Sequence, residues 1–259
     1  MSNYIYQGYA KKKHSNSLIK PFKIKKEVSI IVPTYNEEKN VERLVNALCD
    51  VLEKTKFKGD FEIVIVDDNS KDKTPEIMDS LSGKKPVLAI HRYGKKGIFS
   101  AIWDGIYASN GKFVITMDGD FSHPPAMLPV LLEHREDYDI VSGSRFAKGG
   151  GMEAPFHRKY GGLLLNIICA FIIGVKQKDV AGGFHVIRKD KFLDIEFKYP
   201  STFGEFDFEL FYRAKKKGFS VKEVPFTYKF RDEGQSKMTN LSSYAVNYFM
   251  QAFRLRLLG

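Results

Sequence analysis

Val114-Ile-Thr-Met-Asp118-Gly119-Asp120-Phe121-Ser122-His123-Pro124-Pro125 reads as a buried strand that ends abruptly in two carboxylates, after which a Ser-His-Pro-Pro turn breaks the chain direction. Two acids one residue apart at a strand end put hard oxygen ligands on the same side of the backbone. That suits Mg²⁺ or Mn²⁺, which keeps other positions for water and substrate phosphates. A solvated turn with two surface acids fits the same residues. The surrounding chain has to separate the two.

Working outward, Val28-Ser-Ile-Ile-Val-Pro33 is a β-branched run closed by proline and followed by Thr34-Tyr35-Asn36-Glu37-Glu38. Apolar residues then recur at helical spacing from Val41 to Leu52, so the loop sits at a strand-to-helix junction. Phe61 to Val66 repeats the pattern and ends in Asp67-Asp68-Asn69-Ser70, with Thr74-Pro75 opening a helix to Leu81. Val87 to His91 is a third strand, the loop Tyr93 to Gly97 leads into a helix from about Ile98 to Ala108, and Phe113 to Met117 is the fourth strand. Strands alternating with helices at this spacing predict an α/β fold, a Rossmann-like, mostly parallel sheet flanked by helices. Asp118 and Asp120 then share an edge with Tyr35, Glu37 and Asp67, where open α/β sheets bind ligands. The acids are thereby expected to form a site rather than a surface turn.

Of the 259 residues, 43% are hydrophobic and 14% aromatic, enough for a packed core and against disorder. The formal charge of +10 admits three classes of partner: nucleic acid, an anionic membrane surface, or phosphorylated substrates. Nucleic acid is disfavoured, because the basic residues are scattered, no aromatic-basic RNA motif occurs, and acids occupy the expected ligand edge. Cys49 and Cys169 each lie in an apolar helical pattern, so neither a disulfide framework nor metal-ligand spacing is present. A reducing compartment fits. Residues 1–26 read as a polar, Lys-rich extension without the apolar centre of a signal peptide.

Pro33-Thr-Tyr-Asn-Glu37, Val66-Asp-Asp-Asn-Ser70, Met117-Asp-Gly-Asp-Phe-Ser-His-Pro124 and Ser142-Gly-Ser-Arg145, in this order, resemble the inverting glycosyltransferases of family two, which have the GT-A fold. Glu153-Ala-Pro-Phe-His-Arg158-Lys159, Asp179-Val-Ala-Gly-Gly-Phe184, Glu209 and Phe230-Arg231-Asp-Glu-Gly-Gln-Ser236-Lys237 extend the likeness to the polyprenyl-phosphate sugar transferases, dolichyl-phosphate mannose synthases among them. The resemblance covers Val28 to Lys237 and implies a GT-A catalytic domain over 27–239. It also implies in-line transfer of a sugar, mannose from GDP-mannose being favoured, to dolichyl (polyprenyl) phosphate. An ionised phosphate acceptor needs no general base.

By the same resemblance, Asp120, Arg145, Arg158, Arg231 and Lys237 are the expected catalytic residues. Pro33, Tyr35, Glu37, Asp67, Asp118, Gly119, Asp120, Arg145, Arg231 and Lys237 would bind the nucleotide sugar, Glu37 having capping of the next helix as its alternative use. Arg145, Arg158 and Ser236 would take the acceptor phosphate, since Arg grips phosphate bidentately. Mg²⁺ or Mn²⁺ would sit on Asp118 and Asp120. Ser122 stands where prokaryotic members often have Gln, His123 is either a third ligand or structural, and Gly119 and Gly182 replace the usual Ala and Ser.

No stretch reaches the roughly 18 to 20 apolar residues of a spanning helix. Leu163 to Val175 is a buried or interfacial helix, and residues 240–259 form an amphipathic C-terminal helix (Leu241, Tyr244, Tyr248, Ala252, Leu255, Leu258, widened by Phe249 and Phe253) that either docks or lies on lipid. The resemblance adds a peripheral position on the cytoplasmic face of a membrane and, as partners, a membrane surface and a small membrane-anchoring subunit. Alternatives are a glucosyltransferase using UDP-glucose, a transferase to a glycan hydroxyl, and a nucleotide-sugar-binding subunit without turnover.

Overall fold

The β-branched runs form β1 (Lys26–Thr34), β2 (Phe61–Asp67) and β4 (Gly111–Thr116), with β3 (Val87–His91) beside β2. The computed structural model describes residues 25–93, 97–198, 206–229 and 241–259, with backbone only for 157–158 and 241–244. Both faces of these strands are covered, which is why they read as continuous apolar runs rather than alternating ones. Ile30 lies in register between Ile63 and Ile115, all three fully buried. Truncating one of them to Ala is expected to cost about 2–5 kcal/mol.

The helices follow the periodicity: α1 (Val41–Leu52), α2 (Thr74–Ser82) and α3 (Ile98–Ala108). α4 (Leu128–Glu133), β5 (Ile140–Ser144), β6 (Gly151–Met152), α5 (Phe156–Ile173), β7 (His185–Arg188) and α6 (Lys189–Asp194) come next. The chain then gives α7 (Phe206–Lys216), β8 (Val221–Pro225), β9 (Thr227–Tyr228) and α8 (Leu241–Leu258). Seven strands make one sheet in the order β3-β2-β1-β4-β7-β5-β8, and β6 pairs with β9 apart from it. The first four strands are parallel, and β7 enters antiparallel between β4 and β5. Strand order reverses at β1, so the β1 and β4 loops flank the switch point at which such sheets bind ligands. α1, α2 and α4 bury one face, and α3, α5, α6, α7 and α8 the other.

Several boundaries differ from the sequence expectation, among them α5, which runs Phe156–Ile173 where Leu163 to Val175 was expected. Lys26, placed in the extension, belongs to β1 and pairs with Gly111. Met117, placed in the fourth strand, lies just beyond β4, though its N–H still reaches the Ile31 carbonyl at 3.2 Å. The two helices left open are each partly buried and partly exposed. In α5, Cys169, Ala170 and Ile173 are buried while Leu164, Ile167 and Phe171 face solvent; in α8, Ala252 and Leu255 are buried while Phe253 and Leu258, expected on the docking stripe, are exposed. α8 carries apolar residues on both sides, so a single-stripe reading was too simple. Cys49 and Cys169 are free and buried, and desolvation pushes the Cys169 thiol up to about 12.

Candidate active site

Among the described residues three non-glycine residues adopt positive φ, and all lie in loops at one edge of the sheet: Asn36 after β1 (54°), Asn69 after β2 (64°) and Phe121 after β4 (64°). Asn tolerates the left-handed region; a phenylalanine there is strained, and such strain collects at functional sites. The first two loops are fastened to each other. Asn36 N–H donates to Ser70 Oγ (2.8 Å), Lys71 N–H to Asn36 Oδ1 (2.8 Å), and Glu37 N–H to Thr74 Oγ1 (2.9 Å).

Within them, Asp67 accepts from both the Ser70 N–H (3.1 Å) and the Ser70 hydroxyl. Glu37 Oε2 accepts from Asn40 Nδ2 at 2.8 Å, and its carbonyl receives the first N–H bonds of α1. Both carboxylates are buried and hydrogen-bonded to neighbours in their own loops. Asp68, which the sequence reading did not use, accepts from Arg92 (2.8 Å) and from the Gly97 N–H (2.8 Å) and so holds the start of α3.

The acid pair occupies the third loop. Asp120 is buried, and its Oδ1 accepts the Ser122 N–H at 3.1 Å; the Asp118 side chain is 37% exposed and receives the Ser122 hydroxyl at 3.5 Å. His123 Nδ1 accepts the Asp118 N–H at 2.9 Å, while its ring stacks on Phe184 at 4.7 Å. Burial holds this imidazole below its usual range, against the pull of Asp118 and Asp120. Because Nδ1 is an acceptor, the proton of the neutral ring is on Nε2, 4.0 Å from Asp118 Oδ2. His123 therefore orients Asp118, which decides for its structural use. A Cβ at Gly119 would meet Thr34, Val32 and Pro33 only at 3.5–3.7 Å, so the glycine is not sterically required.

Among the described residues no group of three or more His, Cys, Asp or Glu side chains converges. Asp118 and Asp120 are the carboxylates that the third loop carries. That donor set fits Mg²⁺ or Mn²⁺, which fills the rest of its shell with water and phosphate oxygens.

Arg145 follows β5. Its Nε and Nη2 donate to the two oxygens of Asp179 at 2.7 Å each, Nη2 also reaches the Ala181 carbonyl at 2.8 Å, and the Arg145 N–H adds a bond to Asp179 at 2.9 Å. Asp179 is sealed from solvent; burial opposes its ionisation, and Arg145 more than offsets that, so its carboxyl lies below the usual range. The bidentate edge of Arg145, expected to grip a phosphate, is turned to Asp179, which leaves the Nη1 edge.

Behind this pair, Gly183 (φ 67°) donates its N–H to Asp207 at 2.7 Å, and His185 links Asp207 (3.0 Å) to Ser142 (3.1 Å). Ser142, His185 and Asp207 have the order of a hydrolytic triad, but none is more than 1% exposed. They fasten β5, β7 and α7 together.

The sequence reading missed Tyr228. Its ring stands edge-on to His123 (6.1 Å) with Arg145 Cζ 5.7 Å away. Burial, Asp118 and Asp120 push the phenol up, so it remains a donor. Alternation of Phe226 and Tyr228 after β8 was the one available signal.

The structure therefore places Pro33, Tyr35, Glu37, Asp67, Asp118, Gly119 and Asp120 at the C-terminal ends of β1, β2 and β4 or in the loops that follow them, with Arg145 beside Tyr228. Arg158 is in the first turn of α5, its side chain outside the described residues, and Arg231, Ser236 and Lys237 lie outside them altogether.

Residues 29–195 match the glycosyl transferase family 2 model. A dolichol-phosphate mannosyltransferase of Pyrococcus furiosus is 36% identical over 234 residues, 88% of this chain but 63% of that protein's length. One from Saccharomyces cerevisiae is 30% identical over 82% of this chain and 81% of its own, and a polyprenol monophosphomannose synthase of Mycolicibacterium smegmatis is 31% identical over 81% and 80%. Glucosyl-3-phosphoglycerate synthase of Mycobacterium tuberculosis, solved with Mn²⁺, uridine diphosphate and phosphoglyceric acid, superposes with a TM-score of 0.67 at 15% identity, over 91% of this chain and 80% of that one. That likeness is one of fold, the GT-A fold. With the ordered motifs, the switch-point acids and these matches together, the chain belongs to glycosyltransferase family 2.

Proposed function

We propose that the chain transfers a mannosyl group from GDP-mannose to a polyprenyl (dolichyl) phosphate, with inversion at the anomeric carbon. The observation that carries this is the meeting of opposite charges around one side chain. Asp118 and Asp120 act on the Tyr228 phenol in one direction and Arg145, 5.7 Å from its ring, in the other, at the switch point of a GT-A sheet. The three curated relatives are named as transferases of mannose to such lipids, which supports the choice of sugar and acceptor.

Tyr35, Glu37 and Asp67 would line the base pocket, Tyr35 offering a ring face and the acids accepting from the base edge. Asp118 and Asp120 would hold Mg²⁺ or Mn²⁺, which when bound neutralises charge growing on the leaving diphosphate. Arg145, oriented by Asp179, presents its remaining edge to a phosphate, with Arg158, Arg231, Ser236 and Lys237 proposed beside it. The acceptor phosphate arrives ionised, so no side chain has to remove a proton.

An apolar surface supports a lipid acceptor. Phe156, Tyr160, Leu164, Ile167 and Phe171 line one exposed face of α5. α8, packed against it, exposes Val246, Met250, Phe253 and Leu257 at similar spacing, with Arg254 beside them. No helix among the described residues is long and apolar enough to cross a membrane. Such a face fits peripheral, in-plane association, the cytoplasmic leaflet and a small anchoring subunit being part of the same proposal.

A donor screen tests the assignment. With dolichyl phosphate and Mn²⁺, labelled GDP-mannose should yield a lipid-extractable product at least tenfold faster than UDP-glucose. The reverse preference would make the chain a glucosyltransferase, and no product with any donor would favour an inert sugar-nucleotide-binding subunit.

A further inference from the structure

We propose that Asp207, on α7, is a positioning residue for Arg145: by taking the Gly183 N–H it locks the Gly182-Gly183 turn, and with it the Ala181 carbonyl against which the guanidinium rests. This rests on the proposed use of Arg145 as a grip on the acceptor phosphate and adds to it a residue from a different element. The segment from Asp179 to Phe184 holds Arg145 at two points, the Asp179 carboxylate and the Ala181 carbonyl, the latter 2.8 Å from Nη2. The Asp179 end is fastened from behind. Its N–H and that of Lys178 reach Glu223 at 3.0–3.1 Å, and the Val180 N–H reaches Asn166 at 2.8 Å.

The other end runs through two glycines in succession, which by themselves leave a backbone loose. Neither position accepts a side chain readily. Gly183 has a φ of 67°, and a Cβ at Gly182 would stand 3.3 Å from the Gly143 carbonyl oxygen. The turn therefore has to be stiffened from outside, and two side chains do so. Asp207 Oδ2 accepts the Gly183 N–H at 2.7 Å, and Thr116 Oγ1 donates to the Gly183 carbonyl at 2.9 Å. Both peptide units that flank Gly183 are thereby fixed.

Asp207 is aimed by its own neighbours. Its Oδ1 lies 3.0 Å from His185 Nε2, and His185 Nδ1 lies 3.1 Å from Ser142 Oγ, all three residues being sealed from solvent. A carboxylate only accepts, so Nε2 carries a proton. The three residues that have the order of a triad thus present one carboxylate oxygen to the turn. On its far side the same turn meets the acid loop, where Phe184 stacks on His123. A small displacement of a positioned group is enough to cost much of its effect.

The test is steady-state transfer by the full chain with GDP-mannose, dolichyl phosphate and Mn²⁺, run where circular dichroism shows each variant folded, beside hydrogen exchange of the Gly183 amide. Asp207→Leu keeps the bulk and removes the acceptor. It should raise the dolichyl phosphate KM about 10-fold or more, leave the GDP-mannose KM within about twofold, and speed Gly183 exchange. Mere loss of folded protein would lower kcat and move neither KM. Asp207→Asn is the conservative rescue. Its carbonyl takes the Gly183 N–H while its amide donates to His185 Nε2, the ring proton moving to Nδ1 and the Ser142 hydroxyl turning to the Gly143 carbonyl 3.3 Å away, so the wild-type dolichyl phosphate KM should return. Thr116→Val releases the other side of Gly183, should show the same rise in KM, and decides the matter if Asp207→Leu does not fold. An unchanged dolichyl phosphate KM in folded Asp207→Leu or in Thr116→Val overturns the proposal, as does an Asp207→Asn as impaired as Asp207→Leu. If wild type transfers nothing to dolichyl phosphate, the use of Arg145 falls and this inference with it. If wild type transfers and the variants keep its KM, this inference alone fails.

Discussion

Asp179→Asn separates the charge of the Arg145 pair from its shape. The substitution keeps a planar group of the same size where a sealed carboxylate accepts three N–H bonds of 2.7–2.9 Å from Arg145. The Arg145 side chain is itself only 12% exposed, so the variant leaves a desolvated guanidinium without its counter-charge. Breaking such a pair on one side costs about 3–5 kcal/mol. For a chain of this size each kcal/mol moves the melting temperature by about 2–4 °C, so calorimetry should show a fall of roughly 6–20 °C.

The pH dependence fixes the cause. Asp179 has a folded pKa lowered below its unfolded value of about 3.9, so its stabilisation is fully present above that value and is lost as pH falls through the folded pKa. The gap between wild type and Asp179→Asn should therefore be constant from pH 5 to 8 and shrink below pH 4. Replacing both partners, Arg145→Met with Asp179→Leu, removes the stranded charge and should recover much of the melting temperature. A single variant melting within 2 °C of wild type would refute the reasoning. A double variant no more stable than Asp179→Asn would do so too.

Asp120→Asn should lower transfer by about 10²-fold or more with an unchanged melting temperature, and should abolish Mn²⁺ binding followed by the electron paramagnetic resonance signal of the free ion. Lys189 is buried at the opposite end of the sheet, donating to the Ser109 carbonyl at 2.7 Å, and burial, opposed by Glu62, lowers it to about 7. Its charged form is disfavoured in the fold, so stability should rise with pH between about 7 and 10, by up to about 1.4 kcal/mol per unit, and denaturant titrations of Lys189→Met should lose that slope. Gly119→Ala should leave melting temperature and transfer within about twofold of wild type, the added methyl finding ordinary contact distances; a loss above tenfold would mean the turn needs glycine. Ile167→Glu with Phe253→Glu should release the chain from vesicles of anionic lipid in a flotation assay, while retained flotation would place membrane contact elsewhere.

The first half of the fold was legible because β1, β2 and β4 are buried on both faces, so that sequence alone marks them as strands, and α1 to α3 keep a clean helical period between them. The acid pair was legible as an interruption of that pattern. β7 was not: His185-Val-Ile-Arg188 is four residues long with polar ends, and His185 is tolerated in the core only because Ser142 and Asp207, distant in sequence, satisfy both ring nitrogens. The role of Arg145 was half legible. Its motif marks it as functional, but the partner that takes two of its N–H edges lies 34 residues on and meets it only when β5 and the Asp179 loop pack. Tyr228 escaped notice for the same reason, since a lone aromatic at the end of a short strand carries no chemistry until folding brings it against His123 and Arg145.

The most direct test is acceptor discrimination by the purified chain with labelled GDP-mannose and Mn²⁺, offered dolichyl phosphate, dolichol, or a mannose-terminated glycan. Label should pass to dolichyl phosphate alone, in a product of inverted anomeric configuration, and Asp120→Asn should not form it. Transfer to the glycan hydroxyl with none to dolichyl phosphate would contradict the proposed function.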